Sequence, residues 1–178
     1  LEGGCDIVFQ IGTAKYGVRD KQGNLSDEKL KQVAAHKEVK MFEVKMSQGA
    51  KPGKGGMLPG LKVNEEIARV RGIEPWQDSI SPNRHPEIDS VDELLDFVQH
   101  VRDVTQKPVG FKSVFGSFGW LEKLCEEVHK RGEDSAPDFI TVDSGDGGTG
   151  AAPQALMDNV GLLIRDSLPA VVAVLEKY

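Results

Sequence analysis

Two short apolar runs in this chain each end directly before a glycine-rich loop. The first run, residues 39–42, leads through Glu43 and Lys45 into residues 47–60, which hold five glycines, two prolines and two further lysines. The second run, residues 139–142, leads into DSGDGGTGAAP at residues 143–153. Since α/β sheets and barrels keep their chemistry at the carboxyl ends of strands, we expect both loops to serve one site. Residues 47–60 are called the first glycine loop and residues 143–153 the second.

Candidate anion-binding residues are Lys45, at the end of the strand before the first glycine loop, and Gln48 and Lys51 within that loop. Glycines let backbone N–H groups approach a ligand closely, lysines add positive charge, and the prolines stiffen the segment. The pattern therefore predicts an anion-binding loop. A flexible surface linker with solvated lysines is the alternative that spacing alone leaves open.

The second glycine loop supplies candidate cofactor-binding residues. Its glycines would present consecutive backbone donors to a phosphate or a flat ring, with two hydroxyl groups beside them and Asp143 or Asp146 orienting a neighbour. Such loops are also typical of turns and calcium sites, but the EF-hand spacing is missing here. The candidates are Ser144, Gly145, Gly147, Gly148, Thr149 and Gly150.

Three segments together resemble the FMN-binding synthase domain of glutamate synthases. They are EVKMSQGAKPGKGGMLPGLKV (residues 43–63), ISPNRHPEI (residues 80–88) and VDSGDGGTGAAP (residues 142–153), in matching order and separation. The resemblance runs from VFQIGTAKYGVRDKQGN, residues 8–24, to about residue 159. It implies glutamate biosynthesis by ammonia assimilation: 2-oxoglutarate and ammonia form 2-iminoglutarate, and reduced FMN delivers hydride to the imine carbon.

The resemblance also implies roles for individual lysines. Lys45 would be the central cation that polarises the keto or imine group or grips the α-carboxylate, with Gln48 and Lys51 as further donors. Lys112, in the strand GFKSV, would meet the electron-rich N1–O2 edge of a reduced flavin if its side of the strand faces a barrel interior. The alternative for Lys45 and Lys112 is a solvated lysine at a strand end.

Several other residues are expected to be structural or solvated. His85 lies in a loop resembling one that lines the family's site, but a loop histidine before proline is expected to be exposed. Arg69 or Arg71 could clamp a carboxylate, yet a helix-surface position is expected. Cys5 and Cys125 are predicted to be reduced, buried and structural. No residues show metal-ligand spacing, so no metal is assigned.

Strands alternate with helices along the chain, which predicts right-handed βαβ units and a parallel α/β sheet. Doubly wound sheets and closed barrels both satisfy this pattern, and the strand-exit loops and the resemblance favour a parallel (β/α)8 TIM barrel. Predicted strands are residues 5–11, 39–46, 80–81, 108–114 and 138–143. Predicted helices are residues 27–36, 64–71, 90–101, 121–132 and 160–178, the last broken or restarted near Pro169. A full barrel takes about 250 residues, so we expect residues 1–178 to be a single domain forming part of one, with further strands beyond Tyr178.

Composition limits the class of partner. With 178 residues, 39% hydrophobic and 28% charged, the chain has material for one core. Its net charge of −6 argues against nucleic acid as a partner. No apolar run approaches the roughly 18 residues that span a bilayer, and we expect a cytoplasmic protein. The exposed strand edges of an incomplete barrel favour association into a homo-oligomer.

Some family features have no counterpart in these residues. The cysteines that hold an iron–sulfur cluster follow the GGTGAAP loop in the family, so no cluster is assigned here. Ammonia must come from solution or a separate subunit, and the electron donor, a protein or subunit, stays open. Two alternatives remain. One is another FMN-dependent barrel oxidoreductase, where a hydroxy-acid oxidase would replace Lys45 and Gln48 with a catalytic histidine. The other is a non-catalytic flavin-binding or scaffold module.

Overall fold

A parallel four-stranded sheet carries helices on its apolar face. The structure is a computed structural model that describes residues 3–147 and 152–178. The strands are β1 (Ile7–Ile11), β2 (Val39–Lys45), β3 (Gly56–Leu58), β4 (Ser79–Ser81), β5 (Val109–Val114) and β6 (Ile140–Asp143). The helices are α1 (Asp27–Ala34), α2 (Glu65–Arg71), α3 (Val91–Thr105), α4 (Gly119–Arg131), α5 (Gln154–Asn159) and α6 (Ile164–Lys177).

The parallel strands lie side by side in chain order, β1-β2-β5-β6. Helices α1, α3, α4 and α6 pack against one another in the same order. A doubly wound sheet reverses its strand order at a switch point, whereas the successive βαβ units of a barrel add strands in one direction. The predicted parallel α/β fold is confirmed, and the strand order favours the barrel alternative.

Side-chain caps fix where three helices begin. In each, an N-cap oxygen accepts a hydrogen bond from a backbone N–H three residues further on, and this confirms the predicted starts. The capping residues are Ser26, Asn64 and Ser90. Gly72 ends α2 with φ of 64°, in the left-handed region that glycine adopts readily. Within residues 3–147 and 152–178, no helix combines the length and the apolar character needed to cross a membrane.

Strand β4 and the final helix differ from the prediction, and strand β3 and helix α5 were not predicted. Strand β4 does not join the parallel sheet. It pairs antiparallel with β3, a strand that the glycine-rich sequence does not predict. The final helix is not broken at Pro169, since α6 runs from Ile164 to Lys177 through it. Pro169 has no N–H to donate to the carbonyl of Arg165, four residues earlier. That carbonyl lies in the exposed first turn of α6, where water can supply the missing hydrogen bond.

The two faces of the parallel sheet differ sharply in polarity. On one face, Phe42 and Val44 of β2 and Phe111 of β5 are fully buried beneath the helices. Burial of such side chains contributes roughly 1.5–3 kcal/mol each. Because side chains alternate along a strand, the residues between them point to the opposite face. That face, called the polar face below, carries Gln10, Glu43, Lys45, Lys112, Thr141 and Asp143.

The two glycine loops pack directly on each other. The N–H of Gly49 donates to Oδ2 of Asp143 at 2.8 Å. A Cβ atom at Gly49 would lie 1.7 Å from the carbonyl oxygen of Ser144, and one at Gly145 would lie 2.3 Å from that of Gly161. Only residues without a side chain permit these approaches, so part of the glycine pattern serves loop packing.

Replacing Gly49 with alanine should force the loops apart. The added methyl group cannot share the position of the Ser144 carbonyl, and we expect Gly49→Ala to lower the free energy of unfolding by about 1–3 kcal/mol. Urea denaturation of the variant and the wild type measures this difference. Gly119→Ala is the matched control, because a Cβ atom there meets open space. Equal stability of Gly49→Ala and the control would contradict the packing argument.

Candidate active site

Lys45 and Lys112 lie side by side at the carboxyl edge of the polar face. They are register partners in the pairing of β2 with β5, and neighbouring strands lie about 4.8 Å apart. Lys112 occupies the face opposite Phe111, as the alternation in GFKSV predicts. The two amines therefore create a concentration of positive charge where the first glycine loop begins.

The structure brings the three candidate catalytic residues together around one cavity. Lys45, Gln48 and Lys51 line a space of about 290 Å³, with Gln10 and Lys15 from the β1 side. The Lys45 amine donates to Oε1 of Gln48 at 3.3 Å. The N–H of Lys51 donates to the carbonyl of Gln48 at 3.0 Å, a turn that returns Lys51 to the cavity.

The environment of Lys45 opposes its positive charge. Partial burial lowers the pKa of the Lys45 amine, and the cations of Lys112 and Lys51 lower it further. The carboxylates of Asp143 and Glu43 act in the opposite direction. The positive potential of the neighbouring amines, which lowers the pKa of Lys45, also favours binding of an anion.

Asp143 connects Lys112 to both glycine loops. Its Oδ2 lies 3.1 Å from the Lys112 amine and also accepts the N–H of Gly49. Its Oδ1 accepts the N–H of Ser144 at 2.9 Å. The carboxylate thus holds the Lys112 side chain at a fixed place beside the first glycine loop.

The described donors of the second glycine loop are used within the protein. Gly145 N–H donates to the carbonyl of Leu162, and Gly147 N–H to that of Ser144, each at 2.8 Å. The Ser144 hydroxyl donates to Asp146 and accepts the N–H of Ile164 at 3.0 Å, which caps the start of α6. These donors do not point freely toward a ligand, unlike the arrangement predicted for them. The candidates Gly148, Thr149 and Gly150 lie outside the described residues.

Glu43 is a site residue that the sequence reasoning missed. Its carboxylate is buried, with 8% of the residue exposed, and accepts hydrogen bonds from the Gln10 amide and the Thr141 hydroxyl. Period-two alternation from Lys45 places Glu43 on the same face, and this signal could have identified it.

The predicted exposure of His85 is wrong. The residue is 1% exposed, and its ring lies 5.6 Å from that of Phe97. Nε2 lies 3.1 Å from the Lys45 carbonyl oxygen, and because a carbonyl only accepts, Nε2 carries the proton. Burial lowers the pKa of His85 to about 4, so the ring is neutral at pH 7 and anchors the backbone of Lys45.

Lys15 is a buried cation that the sequence pattern did not reveal. Its residue is 2% exposed, and its amine lies 2.8 Å from Oε1 of Glu87. The backbone of Lys15 has φ of 51°, an uncommon value for a residue with a side chain. The pair ties the loop after β1 to the loop after β4 at the wall of the cavity.

The structure confirms one of the other predictions about side chains and differs from the rest. Arg71 is not a free helix-surface arginine, because it donates to the Ser79 hydroxyl at 2.8 Å and its guanidinium lies 4.9 Å from the centre of the Tyr16 ring. The predicted burial of Cys125 is confirmed, and burial raises the pKa of its thiol. The predicted burial of Cys5 is wrong, since that residue is exposed.

The buried His85 should make stability depend on pH. Its pKa is about 4 in the folded protein against 6.5 for the free group, so the unfolded chain binds the proton more tightly. Stability is therefore full above pH 6.5 and declines as the pH falls toward 4. We expect His85 to account for a loss of roughly 2–3 kcal/mol between pH 7 and pH 4.5.

Urea denaturation of the wild type and of His85→Gln at both pH values tests this expectation. Glutamine can still donate to the Lys45 carbonyl but does not titrate, so its stability should decline less by that amount. An identical decline in the two proteins would show that burial of His85 has no such effect.

Parallel strands in chain order and a lysine-lined cavity at their carboxyl edge define an α/β protein with a cationic strand-end site. A family model described as the conserved region in glutamate synthase matches residues 1–178. The chain belongs to the glutamate synthase family, which confirms the resemblance drawn from its motifs.

Curated relatives agree with this membership. The chain is 45% identical over 178 residues to the glutamate synthase large subunit-like protein YerD of Bacillus subtilis (strain 168), covering 100% of this chain and 33% of that protein. It is 37% identical over 168 residues to the archaeal-type glutamate synthase (NADPH) of Thermotoga maritima, covering 93% of this chain and 29% of the relative. Identity is 34% over 153 residues with the glutamate synthase (NADPH) large chain of Azospirillum brasilense, covering 80% and 10%. The chain thus spans about a third of the length of the first of these relatives.

Proposed function

We propose that this chain is part of an FMN-dependent oxidoreductase of the glutamate synthase type, which reductively aminates 2-oxoglutarate to glutamate. The observation that carries the proposal is the convergence of Lys45, Gln48 and Lys51 on one cavity, with Lys112 beside Lys45. Family membership over residues 1–178 supports it. The names of the relatives from Thermotoga maritima and Azospirillum brasilense include NADPH.

The substrate side of the proposal follows from charge. 2-Oxoglutarate carries two carboxylates, and Lys45 and Lys51 are cations at the cavity wall that can each meet one. Gln48 accepts from Lys45 through Oε1, which leaves its amide NH₂ as a donor for the keto or imine group. Donors fixed in this way stabilise charge that develops on the substrate during reduction.

The flavin side rests on Lys112. Its amine is held by Asp143 and keeps 22% of the side chain exposed, so the cation fits the electron-rich N1–O2 edge of a reduced flavin. Reduced FMN bound here would supply the hydride and would itself be oxidised. The described amides of Gly145 and Gly147 are already paired, so we do not assign phosphate contacts to them. Gly148, Thr149 and Gly150 stay predicted as cofactor contacts.

We also propose that β1, β2, β5 and β6 form an arc of a (β/α)8 barrel. Three features support this: strands in chain order, helices on one face and polar side chains on the other at the carboxyl edge. A hydroxy-acid oxidase would need a histidine base, and His85 does not suit that role, because it is buried and its Nε2 is bonded to the Lys45 carbonyl.

Removing the Lys45 amine should stop catalysis without removing the cofactor. In the full-length protein, we expect Lys45→Ala to lower 2-oxoglutarate-dependent turnover about 100-fold or more, because the central cation is lost. FMN content, read from the visible spectrum, should stay at the wild-type level. Lys40→Ala is the matched control, as Lys40 is an exposed lysine near the start of the same strand. Unchanged turnover in Lys45→Ala would sink the assignment.

The visible absorption spectrum of the purified full-length protein tests the flavin itself. We expect the two bands of an oxidised flavin, and the mass of the released cofactor should be that of FMN. A protein that stays colourless after incubation with FMN would overturn the flavoenzyme proposal.

A further inference from the structure

Glu43 is held on the polar face by both neighbouring sides of the sheet. Gln10 of β1 donates to one carboxylate oxygen, and Thr141 of β6 donates to the other. On β5, the register partner of Glu43 is Gly110, which contributes no side chain, and the Phe139 side chain packs closely against that glycine. Two donors from different strands therefore fix the carboxylate two residues before Lys45 on the same face, further from the carboxyl edge of the sheet.

Lys45 and Lys112 differ in how their charges are balanced. Lys112 has a direct ion pair with Asp143 at 3.1 Å. Within residues 3–147 and 152–178, Lys45 has no ion pair of this kind, and its amine meets the neutral amide of Gln48. Of the two described carboxylates that act on Lys45, Asp143 is paired with Lys112, whereas Glu43, two residues earlier on the same strand and face as Lys45, has no ion pair among the described residues.

The charged groups around Lys45 come from each element beside it. Glu43 lies on its own strand, Lys112 on β5, Asp143 on β6 and Lys51 on the first glycine loop. Strand β1 contributes the neutral Gln10, and the loop after β1 contributes Lys15, whose amine is paired with Glu87. Cations therefore predominate on the cavity side, and the carboxylates of Asp143 and Glu43 oppose them.

We propose that Glu43 is a positioning residue that keeps the Lys45 amine protonated while the contacts to Gln10 and Thr141 keep the carboxylate out of the cavity. A carboxylate in direct contact would occupy the amine and repel an anionic substrate. From its position two residues before Lys45, the carboxylate stabilises the charged amine through space and leaves the N–H donors of that amine free for a substrate. The consequence for turnover rests on the proposed function, but the effect on the Lys45 amine does not.

The test is limited labelling of lysine amines with an amine-reactive acylating reagent, quantified peptide by peptide in the full-length protein. Only the neutral amine reacts, so the rate at slightly alkaline pH follows the deprotonated fraction. Glu43→Gln removes the charge but can keep both hydrogen bonds. We expect Lys45 labelling to rise about threefold or more, with a smaller change at Lys112. Glu127→Gln makes the same charge change on α4, on the opposite side of the sheet from the polar face, and should leave both rates unchanged.

Thr141→Val tests the holding contacts separately. Without the hydroxyl, the carboxylate is free to turn toward Lys45, so labelling of Lys45 should slow and the KM for the anionic substrate should rise. This variant keeps the proposal testable if Glu43→Gln does not fold. Lys45 labelling that is unchanged in a folded Glu43→Gln, or in Thr141→Val if the former does not fold, would overturn the proposal.

Turnover adds a readout that a structural role would not move. If Lys45 acts as a cation, the alkaline limit of kcat/KM should shift to lower pH in Glu43→Gln, because its amine loses the proton sooner. A changed labelling rate without glutamate formation in the wild type would count against the proposed function and leave the role of Glu43 intact. Normal wild-type turnover with unchanged labelling and an unshifted limit would overturn the role of Glu43 alone.

Discussion

The carboxylate of Asp143 is the point through which the site is assembled. It ends β6, binds the Lys112 amine of β5 and accepts the N–H groups of Gly49 and Ser144. Charge-assisted hydrogen bonds of this kind are stronger than neutral ones, and here they join two strands and both glycine loops. The cation of Lys112 and the backbone of the first glycine loop therefore share one reference point, which fixes their separation.

Strand alternation allows this polar assembly to coexist with a firm core. Phe42 and Phe111 anchor β2 and β5 beneath the helices, while Lys45 and Lys112 stand one position away on the other face. The apolar face supplies the packing energy, so the polar face can tolerate neighbouring like charges that weaken stability. Because the strands are rigid, they define the positions of the two amines more closely than loops would.

Local signals in the sequence predicted much of the fold, and the structure brings Lys45, Gln48 and Lys51 to one cavity. Caps such as Ser90 depend on neighbours a few residues away and are visible in the sequence. The burial of His85 depends on Phe97 and on the Lys45 carbonyl, contacts that no local pattern contains. The sequence does not show that the N–H of Gly145 is already bonded, because its acceptor, the carbonyl of Leu162, comes 17 residues later along the chain.

Where the two glycine loops cross, the residues that allow the backbones to approach are different from the residues that face the cavity. Gly49 and Gly145 have no side chain because another backbone passes there, and that requirement holds whether or not a ligand is bound. The residues that face the cavity, such as Lys45 and Gln48, take no part in the crossing. Exchange of the cavity-facing side chains would therefore leave the loop scaffold unaltered, and a glycine signature of this kind reports on the shared backbone frame more directly than on the substrate.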